Sequence, residues 1–65
     1  MAVAGASKPC VWCKMQDGRV VVLHTQSRPV MASIDEAVPA LRAGERVWVA
    51  SMDFLRLREV VDGQR

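Results

Sequence analysis

Two short runs of apolar residues stand near the start of the chain, and Asp17-Gly18 separates them. Aspartate and glycine both accept positive φ, which a two-residue type I′ hairpin turn requires at its two central positions. The pattern therefore predicts a β-hairpin with strands over 10–16 and 19–25. The run VVVL at 20–23 is apolar at successive positions, which is typical of a strand covered on both faces.

A helix start follows in the middle of the chain. Ser33 and Glu36 have the spacing of a capping box, in which each side chain bonds the backbone N–H of the other residue. Pro39 interrupts the pattern, because proline lacks an N–H and disfavours helical geometry at the residue before it. We expect either one kinked helix over 34–43 or a turn followed by a shorter helix, ended by Gly44 as its C-cap.

The remaining segments are shorter or more ambiguous. Residues 25–29 resemble a loop, and 30–32 suit either a short strand or an extended connector. Residues 45–51 alternate and are rich in β formers, which predicts a further strand. The last segment, 52–62, is a helix on one interpretation, capped by Ser51 and stopped by Gly63. That helix leaves Leu55 exposed and turns one apolar face inward, formed by Phe54, Leu57, Val60 and Val61.

Together these elements predict an α+β fold with an N-terminal β-hairpin, a short helix, a further strand and a C-terminal helix. We expect a flexible tail over 1–8 and a single small domain over 9–65. The alternative is a small SH3-like β-barrel with a strand at the C-terminus. The segment 43–63 resembles the KOW-type segment of such barrels at Gly44, Val47, Val49, Phe54 and Val60, although Arg58 or Glu59 stands where that family has a glycine.

Length and composition narrow the class of protein. A chain of 65 residues forms at most one domain and buries a small core, which a metal, a disulfide or a second copy can support. Half of the residues are apolar and the net charge is +2, which argues against disorder. No apolar run approaches the ~20 residues of a membrane span, and no signal peptide is apparent. We therefore expect a cytoplasmic protein with reduced thiols and no contact with membranes.

Cys10, Cys13 and His24 are the only candidates for metal binding by cysteine or histidine. A zinc-stabilised domain would need a fourth ligand for them. If the hairpin pairs positions that sum to 35, Cys13 and His24 share a face and Cys10 points to the other. We therefore predict no cofactor and regard the cysteines as buried side chains, with zinc as the alternative. The chain shows no phosphate loop and no catalytic triad, so we predict that it is not an enzyme.

The two tryptophans, Trp12 and Trp48, both fall in predicted strands that are apolar on each face. One short chain cannot cover both faces, so a surplus apolar surface is expected. We predict a small regulatory protein that acts through protein–protein contacts as a homodimer. The alternative is a nucleic-acid-binding module, in which a tryptophan stacks on a base and arginines contact phosphates. The arginines considered for that role are Arg42, Arg46, Arg56 and Arg58.

Overall fold

Three strands form one antiparallel sheet, and two helices cover one of its faces. A computed structural model describes residues 7–63. The elements in chain order are β1 (Lys8–Gln16), β2 (Arg19–Arg28), α1 (Ile34–Arg42), β3 (Val47–Ala50) and α2 (Ser51–Asp62). The predicted α+β arrangement, with its N-terminal hairpin, short helix, further strand and C-terminal helix, is confirmed. The tail expected over 1–8 falls mainly outside the described residues, and Lys8 already belongs to β1.

The order of strands in the sheet is β2-β1-β3, so β1 is central. The hairpin turns at Asp17 and Gly18, whose φ angles of 55° and 78° are those that the predicted turn type requires. Both neighbours of β1 run antiparallel to it. The central strand β1 therefore fixes the positions of the other two.

The pairing of β1 with β2 changes register at one point. Cys13 faces Val22 as predicted, but Trp12 faces His24, so Leu23 is an additional residue on β2. Such a β-bulge shifts the alternation of side chains by one position beyond it. The uniform register expected from the sequence is therefore wrong beyond Cys13, and the loop expected over 25–29 is wrong as well, since β2 continues to Arg28.

Helix α1 begins with the capping box that the sequence predicted. The Glu36 N–H donates to Ser33 Oγ over 3.2 Å, and the Ser33 N–H donates to Glu36 Oε1 over 3.0 Å. The bond from the Ser33 N–H, with a further contribution from the Ser33 hydroxyl, lowers the pKa of the Glu36 carboxyl below its ordinary value. Pro39 lies inside a single helix, and Ala43 rather than Gly44 is the C-cap. Gly44 follows with φ of 84°, a conformation that glycine adopts without strain.

The connection from β2 to α1 passes along the edge of the sheet. Ala32 forms an isolated parallel bridge with Val49, and its N–H donates to the Trp48 carbonyl over 2.8 Å. Residues 30–32 are thus an extended connector that supplies a hydrogen bond to the outer edge of β3, which is otherwise unpaired in the described part of the chain. The opposite edge of the sheet, along β2, has no paired strand within residues 7–63.

The core lies between the sheet and the helices. Val11, Cys13 and Val49 contribute from the strands, and Leu41 and Leu57 from the two helices. These are the side chains that alternation directs to one face of β1 and β3. The neighbouring side chains Trp12 and Trp48 therefore point to the other face.

Helix α2 settles the ambiguity of the C-terminal segment, and the SH3-like barrel with a C-terminal strand is wrong. Leu57 and Val61 are buried, whereas Phe54 and Val60 are half-buried on the same side. Ala50 occupies the N-cap position without a side-chain hydrogen bond, so the expected cap at Ser51 is also wrong. No helix within residues 7–63 has the length and apolar character to cross a membrane.

Two leucines of α2 allow a matched test of this helix. Leu57 is 0% exposed and Leu55 is 68% exposed. We expect Leu57→Ala to lower the free energy of unfolding by roughly 2–5 kcal/mol, because it leaves a cavity in the core. Leu55→Ala should change it by about 0.5 kcal/mol or less, as surface substitutions do. Urea denaturation followed by circular dichroism measures both, and equal effects would contradict the orientation of α2.

Candidate functional site

The sheet face opposite the helices carries the most distinctive group of side chains in the structure. We call it the open face. Trp12 in β1 and Trp48 in β3 lie directly opposite each other, and His24 in β2 is the partner of Trp12 on the other side. We call these three residues the aromatic row. It crosses all three strands at one level, because Trp12 is the register partner of both His24 and Trp48.

The rings of the aromatic row contact one another. The centroids of the Trp12 and Trp48 rings are 5.9 Å apart with an interplanar angle of 14°, which is an offset stack. The His24 ring meets Trp48 edge-on, with centroids 6.2 Å apart and an angle of 78°. Aromatic pairs of this geometry contribute about 0.5–1.5 kcal/mol beyond the area they bury. The row is therefore held in place by its own contacts and is only partly shielded from solvent.

Two arginines lie over the tryptophan rings. The Arg28 guanidinium carbon is 4.7 Å from the centroid of Trp48, and that of Arg46 is 5.8 Å from the centroid of Trp12. Both distances are within the ~6 Å range of a cation–π contact. Arg28 comes from the end of β2, and Arg46 directly precedes β3. The two arginines thus approach the aromatic row from opposite ends of the strands.

Charge is distributed unequally between the two sides of the molecule. None of the strand residues is Asp or Glu, whereas five of the seven carboxylates belong to the helices. The alternation of side chains places five cations on or beside the open face: Lys8, Lys14, Arg19, Arg28 and Arg46. The helices carry three arginines with those five carboxylates. The remaining two carboxylates are Asp17 in the hairpin turn and Glu45 beside Arg46. The five cations outnumber them, so the open face is positive overall, and the helical side has a small excess of negative charge.

The arginines named from the sequence divide between these two sides. Arg46 lies with Trp12 and Trp48 on the open face. Arg42 lies at the end of α1, and Arg56 and Arg58 lie in α2, on the other side of the sheet. Arg58 Nε is 4.0 Å from Asp62 Oδ2, which makes a surface ion pair one helical turn apart. The structure therefore groups one of the four arginines with the tryptophans and separates three from them.

Sequence reasoning missed Arg28 and His24 as members of this group. Both depend on the bulge at Leu23, since a regular hairpin would place His24 on the helix-covered face with Cys13. One signal was present in the sequence: His24, Gln26 and Arg28 follow one another at the two-residue spacing of a strand face. The end predicted for the strand at 25 concealed that pattern.

The cysteines and the histidine of the metal hypothesis occupy different places. Cys13 lies in the core, where its Sγ is 3.6 Å from the Val47 carbonyl oxygen. Cys10 lies on the other face under the connector, with its Sγ 3.6 Å from Met31 Sδ. His24 contacts Trp48. Within residues 7–63, no three His, Cys, Asp or Glu side chains are grouped closely enough to hold a metal ion.

A groove of about 530 Å³ lies elsewhere, between α1 and α2. Its lining is mixed: Ile34 and Val38 are apolar, while Asp35, Asp53 and Arg56 are charged. With two carboxylates and one cation, this groove has no clear preference for an anionic or a cationic ligand. The open face, by contrast, offers cationic N–H donors beside aromatic rings, and this combination can bind anions and planar ring systems together.

No family model, no curated protein and no solved structure matches this chain. The interpretation of the site therefore rests on its own geometry and charge.

The two buried thiols give a test of how the cysteines are used. Burial raises the pKa of the Cys13 thiol, so less of the reactive thiolate is present at neutral pH. Both side chains are free and buried. We expect a thiol reagent such as Ellman's reagent to modify the folded protein slowly and the urea-unfolded protein fast, at two thiols per chain.

A chelator distinguishes burial from metal protection in the same assay. If burial alone protects the thiols, EDTA leaves the rate for the folded protein unchanged. Acceleration by EDTA, with release of one zinc per chain, would instead favour the zinc-stabilised domain.

Proposed function

We propose that this chain is a small non-catalytic module that binds nucleic acid through the open face. One observation carries the proposal: arginines lie over both tryptophans of an aromatic row on a sheet whose strands contain no carboxylate. Nucleic acids present the two features that this surface complements. Their phosphates are anions, and their bases are planar rings that stack on aromatic side chains.

Arg28 and Arg46 lie over tryptophan rings, and this position suits them to bind phosphate. A guanidinium that rests on an indole has its N–H groups directed outward along its own plane. Its fork matches the geometry of a phosphate and binds it with two parallel hydrogen bonds.

A tryptophan ring binds a nucleic-acid base more strongly than it binds a guanidinium. A cation–π contact at an exposed site contributes about 0.5–1 kcal/mol. Stacking of a base on an aromatic side chain contributes about 1–3 kcal/mol. A base can therefore replace a guanidinium on a tryptophan ring, and the released guanidinium is then free to contact the adjacent phosphate. Stacking and ion pairing support each other in this exchange.

The carboxylates of the helices favour binding of nucleic acid on the open face rather than on the helical side. Arg56 and Arg58 stand among the carboxylates of α2, which repel a phosphate backbone. On the open face, the strand residues around Arg28 contain no such carboxylate. We therefore assign the phosphate contacts to the arginines of the open face rather than to those of the helices.

The salt dependence of binding tests this assignment. We expect Arg28→Ala and Arg46→Ala each to weaken binding to an oligonucleotide and to lower the slope of log K against log salt by about one unit. Each substitution removes one cation that displaces counterions from the phosphates. Fluorescence anisotropy at several salt concentrations measures the slope.

Arg56→Ala is the matched control, because it removes the same charge from the helical side. Its slope should equal that of the unsubstituted chain, and circular dichroism should show all three variants folded. If Arg56→Ala lowers the slope while Arg28→Ala and Arg46→Ala do not, nucleic acid binds the helical side and the assignment to the open face is wrong.

Protein–protein contact through a homodimer is a second candidate function, and the edge of the sheet favours it. Val22 and Leu23 are 43% and 41% exposed in β2, whose outer edge pairs with no strand within residues 7–63. An unpaired edge with apolar side chains can add a strand from a second chain. The bulge at Leu23 limits this pairing, because bulges twist an edge away from regular partners.

Sedimentation velocity tests self-association at this edge. On this second candidate function, the chain sediments as a dimer at micromolar concentration, and Leu23→Lys returns it to a monomer because a charge then lies in the interface. Leu55→Lys is the control, since Leu55 is an exposed leucine on α2. A monomer at all concentrations would contradict the dimer and leave the nucleic-acid proposal unaffected.

A further inference from the structure

We infer that the open face takes a single-stranded nucleic acid, laid across the strands along the aromatic row. This inference rests on the proposed function and specifies its ligand. His24, Trp12 and Trp48 belong to three adjacent strands and face one another in register. Neighbouring strands lie about 4.8 Å apart, so the backbone positions of the row span roughly 10 Å. The rings converge above the sheet, with the Trp48 centroid 5.9 Å from that of Trp12 and 6.2 Å from that of His24. Aromatic side chains on the face of a sheet stack single-stranded bases, about two or three of them on a four-stranded sheet. This narrower sheet offers its two tryptophan rings for that purpose.

The cations lie on both sides of the row. Lys8 and Arg28 are directly paired on the side of Cys10, toward the start of β1. Lys14 and Arg46 lie on the other side, toward the hairpin turn and the start of β3. A strand that crosses the sheet along the row therefore has cationic donors within reach on either side. The sugar–phosphate backbone can bend toward one side while its bases remain over the rings.

A duplex does not fit this arrangement. Its bases are paired and stacked on each other, so their faces are not free to contact Trp12 or Trp48. A helix or a two-stranded ribbon that enters the major groove reads the sequence of a duplex. The β1–β2 ribbon of this chain is joined to β3 in one three-stranded sheet and is therefore wider than such a ribbon. Both helices of this chain lie on the other side of the sheet and carry more carboxylates than arginines. The open face itself is three strands wide, with its rings at the centre.

The role of stacking can be tested without altering the protein. The probes are a labelled thymidine oligonucleotide of about eight nucleotides, an abasic oligonucleotide of the same length, and a duplex with the same number of base pairs. The single strand and the abasic strand carry the same phosphates and differ only in their bases. Loss of one stacked base weakens binding roughly 5- to 150-fold, so we expect the abasic strand, which loses every stacked base, to bind more weakly by at least such a factor. The duplex should also bind more weakly than the single strand, and only the single strand should quench tryptophan fluorescence strongly.

A substitution then locates the stacking. Trp48→Ala should weaken binding of the single strand by a similar factor and leave binding of the abasic strand nearly unchanged. Trp48→Phe, which keeps an aromatic ring, should restore most of the affinity. Circular dichroism confirms that each variant is folded. If an alanine variant does not fold, the comparison of the three probes on the unsubstituted chain still decides.

The outcomes separate this inference from the proposal on which it rests. Equal or tighter binding of the duplex, or equal binding of the abasic strand, would overturn the single-strand inference and leave nucleic-acid binding in place. No binding of any of the three probes at low salt would overturn both. Tight binding of the thymidine strand alone, lost with Trp48→Ala and restored with Trp48→Phe, supports both.

Discussion

The whole arrangement depends on a sheet that has helices on one face only. β1 is hydrogen-bonded on both sides, so each of its side chains must point either toward the helices or away from them. Val11 and Cys13 point toward the helices and form the centre of the core. Trp12, which stands between them, is thereby directed to the face without helices. The position of a large aromatic residue on the open face follows from the burial of its neighbours.

One inserted residue decides which side chains of β2 accompany Trp12. Without the bulge at Leu23, alternation would put Leu23 opposite Trp12 and place His24 on the helix-covered side. With the bulge, His24 faces Trp12 and its ring reaches Trp48. The same shift of phase brings Arg28 to the open face, where its guanidinium lies over Trp48. The aromatic row and one of its two arginines thus depend on a single irregularity in the hairpin.

The sequence was informative where one local interaction determines the structure. Asp17-Gly18 specifies its turn, and Ser33 with Glu36 specifies the start of α1, because each signal acts within a few residues. The register from Trp12 to Lys8 was not predictable in this way, since burial of one face selects the register, and that face is buried by helices far along the chain. The candidate site was predicted only in part for the same reason. Trp12, Trp48 and Arg46 were identified, but their association required knowledge of which strand is central.

The positive charges of the open face repel one another and so destabilise the isolated chain slightly. Lys8 and Arg28 are direct cross-strand partners, and like charges at such positions repel. Lys14 lies on the same face, and no strand residue supplies a carboxylate to balance it. Solvent screens this repulsion, so its cost to the free protein is small. A bound polyanion would convert the same repulsion into attraction at several points at once. Surfaces that bind ligands often contain such locally unfavourable arrangements. Here the cluster of like charges lies on the same face as the two tryptophans, which neither α1 nor α2 covers.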